Sequence, residues 1–291
     1  MGHKNKLSLI GQVNKVLSDK MRAGVGTSKH ADKETRKTTG EDPAQGKIYS
    51  YETYKSYLKQ ACYFAKYCKA EHGSKTLEDC RQYIDEYIQK GIDDSKSTST
   101  LKLIASALAK LYDCHTTDFI PTPPRKRSEI KRSRGEAVRD KHFSEKNNRN
   151  LVTFCKNTGL RRKELTRVCG TALIFTGGKY CVRVLNGKGG KIRTVPIIGE
   201  VEFIVNLMKA AGSKRLFDSI PGAADIHGYR RQYAVTYYEQ IARPLDTLTK
   251  KQKYYCRGDK QGNVYDRKAM LEVSHALGHN RLNVIAAHYL Y

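Results

Sequence analysis

Three prolines in four residues, Pro121-Thr122-Pro123-Pro124, stop any helix from running through the middle of the chain. Proline has no backbone donor and fixes φ, so a regular hydrogen-bonded element cannot cross this point. Basic side chains follow at once: Arg125, Lys126, Arg127, Lys131, Arg132 and Arg134. A stiff, charged stretch of this kind reads as an interdomain linker, here residues 117–134. A chain of 291 residues is long enough for a domain on each side.

The two sides carry different periodicities. Before the linker, Tyr51, Tyr54, Tyr57, Leu58, Ala61, Phe64, Ala65 and Cys68 recur every three or four residues after Ser50, and Gly73 follows. That spacing predicts one amphipathic helix with a capped start and a glycine stop. Thr76 with Asp79 has the form of a capping box opening a second helix through Ile84, Tyr87 and Ile88 to Gly91. A third follows the Ser97 to Thr100 cluster, through Leu101, Ile104, Leu108 and Leu111. Residues 47–116 are therefore expected to form a small all-helical domain. Ahead of it, residues 1–46 show only a brief apolar pattern at Leu9, Ile10, Val13 and Leu17, then a basic, Gly- and Thr-containing run. This composition predicts a basic, partly disordered arm.

After the linker the pattern is mixed. Helices are predicted through Leu151 to Cys155, from Leu160 to Val168, over Val201 to Ala211, His227 to Ile241 and Lys268 to Leu277. Strands are predicted at Ala172 to Phe175 and Tyr180 to Leu185, around the turn Thr176-Gly177-Gly178-Lys179, and at Ile192 to Ile197. A basic hairpin is predicted between residues 254 and 264. The fold class that follows is mainly α with a small antiparallel β-sheet (α+β) in a second domain, 135–291.

Charge narrows the partners. Lysine and arginine number 54 against 29 acidic residues, a net charge of +25 spread along nearly the whole length. Such a field attracts polyanions, and nucleic acid fits it better than a membrane surface does. No apolar run reaches the length of a membrane span. Gln12, Asn14 and Lys15 break up the N-terminal apolar residues, so no secretory signal is read and a cytoplasmic location is expected. None of the eight cysteines forms a Cys-x-x-Cys pair, so reduced, mostly buried thiols are expected, with no metal.

Four stretches place a basic or proton-transferring side chain beside a tight backbone feature. Arg161 follows Thr158-Gly159-Leu160 at a helix start, where a guanidinium and free N–H groups together suit an anion. Lys188 stands on the glycine-flanked turn Asn186-Gly187-Lys188-Gly189-Gly190. His227 and Arg230 lie three apart and share a helix face. His279 follows the Leu277-Gly278 turn, and Tyr289 and Tyr291 close the sequence. Alone, each is an ordinary surface charge or aromatic anchor. Together, two arginines, a lysine, two histidines and a tyrosine make a kit for phosphoryl transfer without a metal or cofactor: guanidiniums on nonbridging oxygens, proton-transferring groups, and a covalent nucleophile.

The order Gly-Leu-Arg-x-x-Glu-Leu, Gly-Lys-Gly, His-x-x-Arg, Leu-Gly-His and then Tyr resembles the tyrosine recombinase (phage integrase) family. The resemblance covers the catalytic domain from about residue 140 onward, and the helical domain is similar to that family's core-DNA-binding domain in pattern alone. It implies a two-domain clamp on double-stranded DNA, a homo-tetramer on two paired sites, and cleavage through a 3′-phosphotyrosyl bond that is rejoined without ATP or metal. Residue by residue, it implies Arg161 and Arg230 as the phosphate clamp and Lys188 as general acid for the leaving 5′ oxygen. His227 takes the place that handles the tyrosine proton, His279 the place that bonds a nonbridging oxygen, and Tyr289 that of the nucleophile. Glu164 takes the place of the family's structural acid. Tyr289 stands one residue further from His279 than is usual in the family, which leaves Tyr291 as the alternative, and Arg231 replaces a frequent second histidine. Integration or excision of a mobile element is the use expected first, with a DNA-bending or excision-directing accessory protein as a further partner. A catalytically silent DNA-binding or architectural protein of the same fold is the rival from another class, and a relaxing type IB topoisomerase a third reading.

Overall fold

The computed structural model describes residues 7–124, 143–185, 187 and 192–290. Contacts divide the chain into two units, Met1–Lys131 and Arg132–Tyr291, with the boundary inside the predicted linker. The basic part of that linker, the glycine-flanked Lys188 and Tyr291 lie outside the described residues.

The first unit is all helical: α1 (Leu9–Gly24), α2 (Lys29–Thr39), α3 (Tyr51–His72), α4 (Leu77–Arg81), α5 (Ile84–Asp93) and α6 (Thr98–Leu111). The Ser50 hydroxyl accepts from the Thr53 N–H at the start of α3, and Gly73, at φ 64°, ends it. Ala61, Phe64, Ala65 and Cys68 form the buried face, meeting Ile104, Ala105 and Leu108 of α6 in one core. The Thr76–Asp79 capping box is present. It opens a single turn and a half, however, and a second helix starts at Ile84 and continues through Gly91 to Asp93. Gly91 stops nothing. A Cβ there would come within 2.9 Å of the Leu101 side chain, so this glycine makes room between α5 and α6.

The stretch expected to be an arm behaves otherwise. Val13 and Leu17 of α1 are fully buried in the core of this unit. The Gln12 side chain donates to the Lys75 carbonyl (3.0 Å) and accepts from the Leu77 N–H (3.1 Å), tying α1 to the start of α4. Gly24 touches the Ile48 backbone so closely that a Cβ would lie 2.3 Å from the Ile48 carbonyl oxygen. The physical reason for the difference is that four apolar residues are a faint pattern in sequence, yet they suffice once α3 and α6 offer a surface to cover. Helix α2 buries no residue and is held by Asp32, which accepts from Lys47 (2.9 Å) and Tyr49 (2.7 Å).

The second unit alternates helices with two small sheets. In order, α7 (Arg149–Thr158) and α8 (Arg162–Leu165) precede strands β1 (Leu173–Thr176), β2 (Lys179–Val184) and β3 (Arg193–Pro196), an antiparallel sheet in the order β1-β2-β3. Gly177 and Gly178, at φ 58° and 72°, make the two-residue turn between β1 and β2. Helices α9 (Val201–Ala211) and α10 (Ile226–Ile241) follow. Then come a hairpin of β4 (Lys253–Tyr255) with β5 (Val264–Asp266), α11 (Arg267–Ala276) and α12 (Leu282–His288). The helix predicted from Leu160 to Val168 is only the four residues of α8, because Arg161 stays extended as its N-cap. Phe154, Leu165, Val182, Val195, Ile204, Tyr233, Val273 and Ile285 anchor the core against which these elements pack.

All eight cysteines are free, and Cys68, Cys80, Cys155, Cys181 and Cys256 are buried. No helix among the described residues is long and apolar enough to cross a membrane.

Candidate active site

Gly159 ends α7 in the left-handed region at φ 57°, with its α-carbon so near the Tyr233 ring that a Cβ would be 2.5 Å from it. Two residues on, Arg161 caps α8. Its N–H donates to Glu164 Oε2 (2.7 Å), its Nη1 to Glu164 Oε1 (3.0 Å), and its Nη2 to the Leu277 carbonyl (2.8 Å). Leu277 is 116 residues away, so this bond joins the first helix pair to the C-terminal turn.

Glu164 is buried and already engaged from below. Arg193 of β3 forks onto it, Nη1 to Oε1 at 2.8 Å and Nη2 to Oε2 at 2.7 Å, while Arg193 Nε donates to the Ala276 carbonyl (2.8 Å). Burial alone would raise the Glu164 pKa. The Arg193 fork, its charge and the Arg161 contacts outweigh that and hold it at about 2, so the carboxylate is ionised.

Arg230 lies one turn inside α10 and is 1% exposed. Its Nη1 donates to the Gly159 carbonyl, its Nη2 to the Leu277 carbonyl, and its Nε to the Tyr289 hydroxyl at 3.1 Å. All three acceptors are neutral oxygens. Burial lowers its pKa to about 10, which still leaves it cationic at neutral pH. Of the three guanidiniums, Arg161 and Arg193 thus bond the Glu164 carboxylate, both of whose oxygens Arg193 takes, while the described bonds of Arg230 go to neutral oxygens alone. Uncompensated positive charge in a buried setting is costly unless an anion completes it.

The histidine and tyrosine close the same space. Helix α11 ends at Ala276, and Gly278, at φ 67°, turns the chain so that the His279 N–H bonds the Ser274 carbonyl at 2.7 Å. A Cβ on Gly278 would press on Arg193 Cδ (3.1 Å) and Arg161 Nη1 (3.3 Å). His279 Nε2 is 3.4 Å from the Tyr289 hydroxyl. Half-burial first, then the charges of Arg230, Arg161, Arg193 and His288, push the His279 pKa down to about 4, so the ring is neutral at physiological pH. Tyr289 sits at the C-cap of α12, where the backbone leaves the helix (φ −124°, ψ −44°).

Of the six residues predicted from sequence, Arg161, Arg230, His279 and Tyr289 converge on one another. His227 is an exposed residue of the first turn of α10, one turn before Arg230. Lys188 lies outside the described residues. Arg193 was missed, and a signal for it existed: it shares the inward face of β3 with Val195, and a charged residue at an inward position calls for a buried partner.

No model of a protein family matches the chain, and no curated protein does. Solved structures do. The XerH site-specific recombinase bound to a palindromic difH substrate, in a post-cleavage complex, is similar at a TM-score of 0.53 and 14% identity, over 97% of this chain and 91% of that one. XerH in a pre-cleavage complex with difH substrate gives 0.50 and 13%, over 98% and 92%. The chain shares the fold of the XerH site-specific recombinase. That fold accommodates the mainly α architecture with a small antiparallel sheet predicted from the sequence.

Proposed function

We propose that this protein is a site-specific DNA recombinase that cleaves and rejoins duplex DNA through a 3′-phosphotyrosyl intermediate, integrating or excising a mobile genetic element. The observation that carries the reading is the pair of half-buried Arg161 and buried Arg230, with the Tyr289 hydroxyl 3.1 Å from Arg230 Nε. A phosphodiester supplies the anion this cluster needs, and its phosphorus would then lie next to a tyrosine oxygen.

The chemistry follows from those positions. The Tyr289 oxygen attacks the scissile phosphorus and the bond to the 5′ oxygen breaks, so one P–O bond replaces another and the phosphodiester energy is kept. Arg161 and Arg230 hold the nonbridging oxygens as charge builds on the phosphorane. Their guanidiniums are pinned by the Leu277 and Gly159 carbonyls before substrate arrives, so no reorganisation is needed at the moment of reaction. Neutral His279 accepts from the tyrosine hydroxyl at Nε2 in the free protein as the Nδ1–H tautomer and, with phosphate bound, donates to a nonbridging oxygen as the Nε2–H tautomer. His227 receives the tyrosine proton, and Lys188 gives one to the departing 5′ oxygen. Reversal of the same steps with a different 5′ hydroxyl completes strand exchange. The partner is double-stranded DNA, and a homo-tetramer on two paired sites is the assembly that exchanges strands, aided by a DNA-bending or excision-directing protein.

The test is covalent trapping on nicked duplexes carrying candidate sites, with a chelator present. Wild type should give a protein–DNA adduct that Tyr289→Phe loses and Tyr291→Phe keeps. Loss with Tyr291→Phe alone moves the nucleophile. No adduct on DNA that the wild type binds tightly leaves a silent DNA-binding protein, and relaxation of plasmids lacking any such site would mark a topoisomerase.

A further inference from the structure

The β4–β5 hairpin, inserted between α10 and α11, takes no part in the chemistry above, yet it reaches the segment that carries Tyr289. Its base is fixed by Asp266, which is 1% exposed and accepts from the Arg243 Nε (2.9 Å), Nη2 (2.8 Å) and N–H (3.1 Å). The Tyr238 hydroxyl accepts from the Asp266 N–H at 2.8 Å. From this base the hairpin extends Lys260 and Tyr265 toward the end of α12. Lys260 Nζ donates to the carbonyls of Ala286 and Leu290, the latter at 2.6 Å, and the Tyr265 hydroxyl donates to the Leu290 carbonyl at 2.9 Å.

The helix end explains why such a clamp is needed. In a continuing helix the Leu290 N–H would bond the Ala286 carbonyl. Here the Tyr289 N–H makes the regular bond to the Ile285 carbonyl at 3.0 Å, but the Leu290 N–H bonds that same oxygen at 3.1 Å, so the Ala286 carbonyl is released. Released carbonyls at a helix C-terminus carry partial negative charge and favour a cation. With seven residues, α12 is too short to hold its own end in register. The break at Tyr289 is what turns its side chain toward Arg230 and His279, and Lys260 grips the carbonyls on either side of that break.

We propose that Lys260 is a positioning residue for the nucleophile: its ammonium, braced by Tyr265, fixes the backbone on both sides of Tyr289 and so sets where the hydroxyl meets the phosphate. The proposal rests on Tyr289 being the nucleophile. It assigns the inserted hairpin a role within the active site, separate from any contact with DNA.

The experiment compares Lys260→Met, Lys260→Arg and Tyr265→Phe with wild type in single-turnover adduct formation at saturating nicked DNA. DNA affinity and backbone amide exchange over residues 282–290 are measured in parallel. Lys260→Met should slow adduct formation by about 100-fold, the scale of an ångström-sized misplacement. DNA affinity should stay near that of wild type, and amide exchange at Tyr289 and Leu290 should speed up. Lys260→Arg should recover most of the rate. Tyr265→Phe, which removes one hydrogen bond and keeps the ring, should slow the reaction by about fivefold. A second substrate with sulfur at the 5′ bridging position needs no proton on the leaving group, and Lys260→Met should stay slow on it. Recovery of the rate with sulfur would overturn the proposal, because it would make Lys260 a proton donor. So would a wild-type rate with unchanged exchange. If wild type itself forms no adduct, the functional reading fails while the exchange measurement still decides whether Lys260 holds the segment.

Discussion

The helical unit and the mixed α/β unit bury different things. In the first, the core is Leu, Ile, Val, Phe, Ala and Cys, and the one buried charge among its described residues, Lys20, reaches Asp113 at 2.5 Å. In the second, Glu164, Arg193, Arg230 and Asp266 are all buried, and Arg230 bonds no carboxylate. The first arrangement is what burial of apolar surface produces unaided. In the second, burying Arg230 carries a desolvation cost that no carboxylate among the described residues offsets. Where a fold tolerates such a cost, the cost itself marks the working part of the molecule.

The largest effect should come from removing that cost. Arg230→Met should lower the adduct rate about 10³-fold, the scale of losing a preorganised charge at a reacting oxyanion, while the thermal midpoint holds or rises. A large fall in the midpoint would show that Arg230 stabilises the fold and would erase the contrast between the units. Glu164→Gln should do the reverse. It leaves Arg193 buried without its counter-charge, at about 3–5 kcal/mol, or about 10 °C in the midpoint of this unit. Calorimetry that finds no change would mean that water, and not Glu164, neutralises the arginines. In the helical unit, Leu108→Ala should cost about 3 kcal/mol through the cavity it opens, yet leave cleavage at saturating DNA unaltered. A matching loss of cleavage rate would tie the two units together chemically.

The smallest effect is a titration. His279 in the free protein should titrate near pH 4 by NMR, well below the ordinary 6.5. Between those values the unfolded chain binds the extra proton, so the contribution of neutral His279 to stability is complete above 6.5 and is lost as pH falls toward 4. Glu164 acts in the same direction at lower pH, its contribution present above the ordinary 4.5 and lost toward 2. Bound phosphate should raise the His279 value by setting an anion among its cationic neighbours. A free-protein midpoint at or above 6.5 would mean that the arginine charges are screened by solvent, and the site would then be far less polarised than its geometry implies.

These contrasts also explain what the sequence could disclose. Ser50, Gly73, the Thr76–Asp79 box and the Gly177-Gly178 turn act through local backbone geometry, so their signals sit within a few residues and were readable. The membership of α1 in the helical core was not, because Val13 and Leu17 become informative only beside α3 and α6. Arg161, Arg230, His279 and Tyr289 stood out through motif order, though nothing in that order specifies that Leu277 and Gly159 carbonyls hold the guanidiniums. Lys260 escaped notice for the same reason. Its partners are backbone oxygens, which every residue possesses and no sequence pattern distinguishes.

One oxygen, the Leu277 carbonyl, receives both Arg161 Nη2 and Arg230 Nη2. Arg161 enters from the α7–α8 junction and Arg230 from α10, so two separate helical supports end on a shared pin. Thermal drift of the Leu277-Gly278 turn then carries both guanidiniums in phase, and the gap between them varies less than the position of either. For the phosphate of the proposed reaction, the pair would be a two-pronged seat hung from a single oxygen.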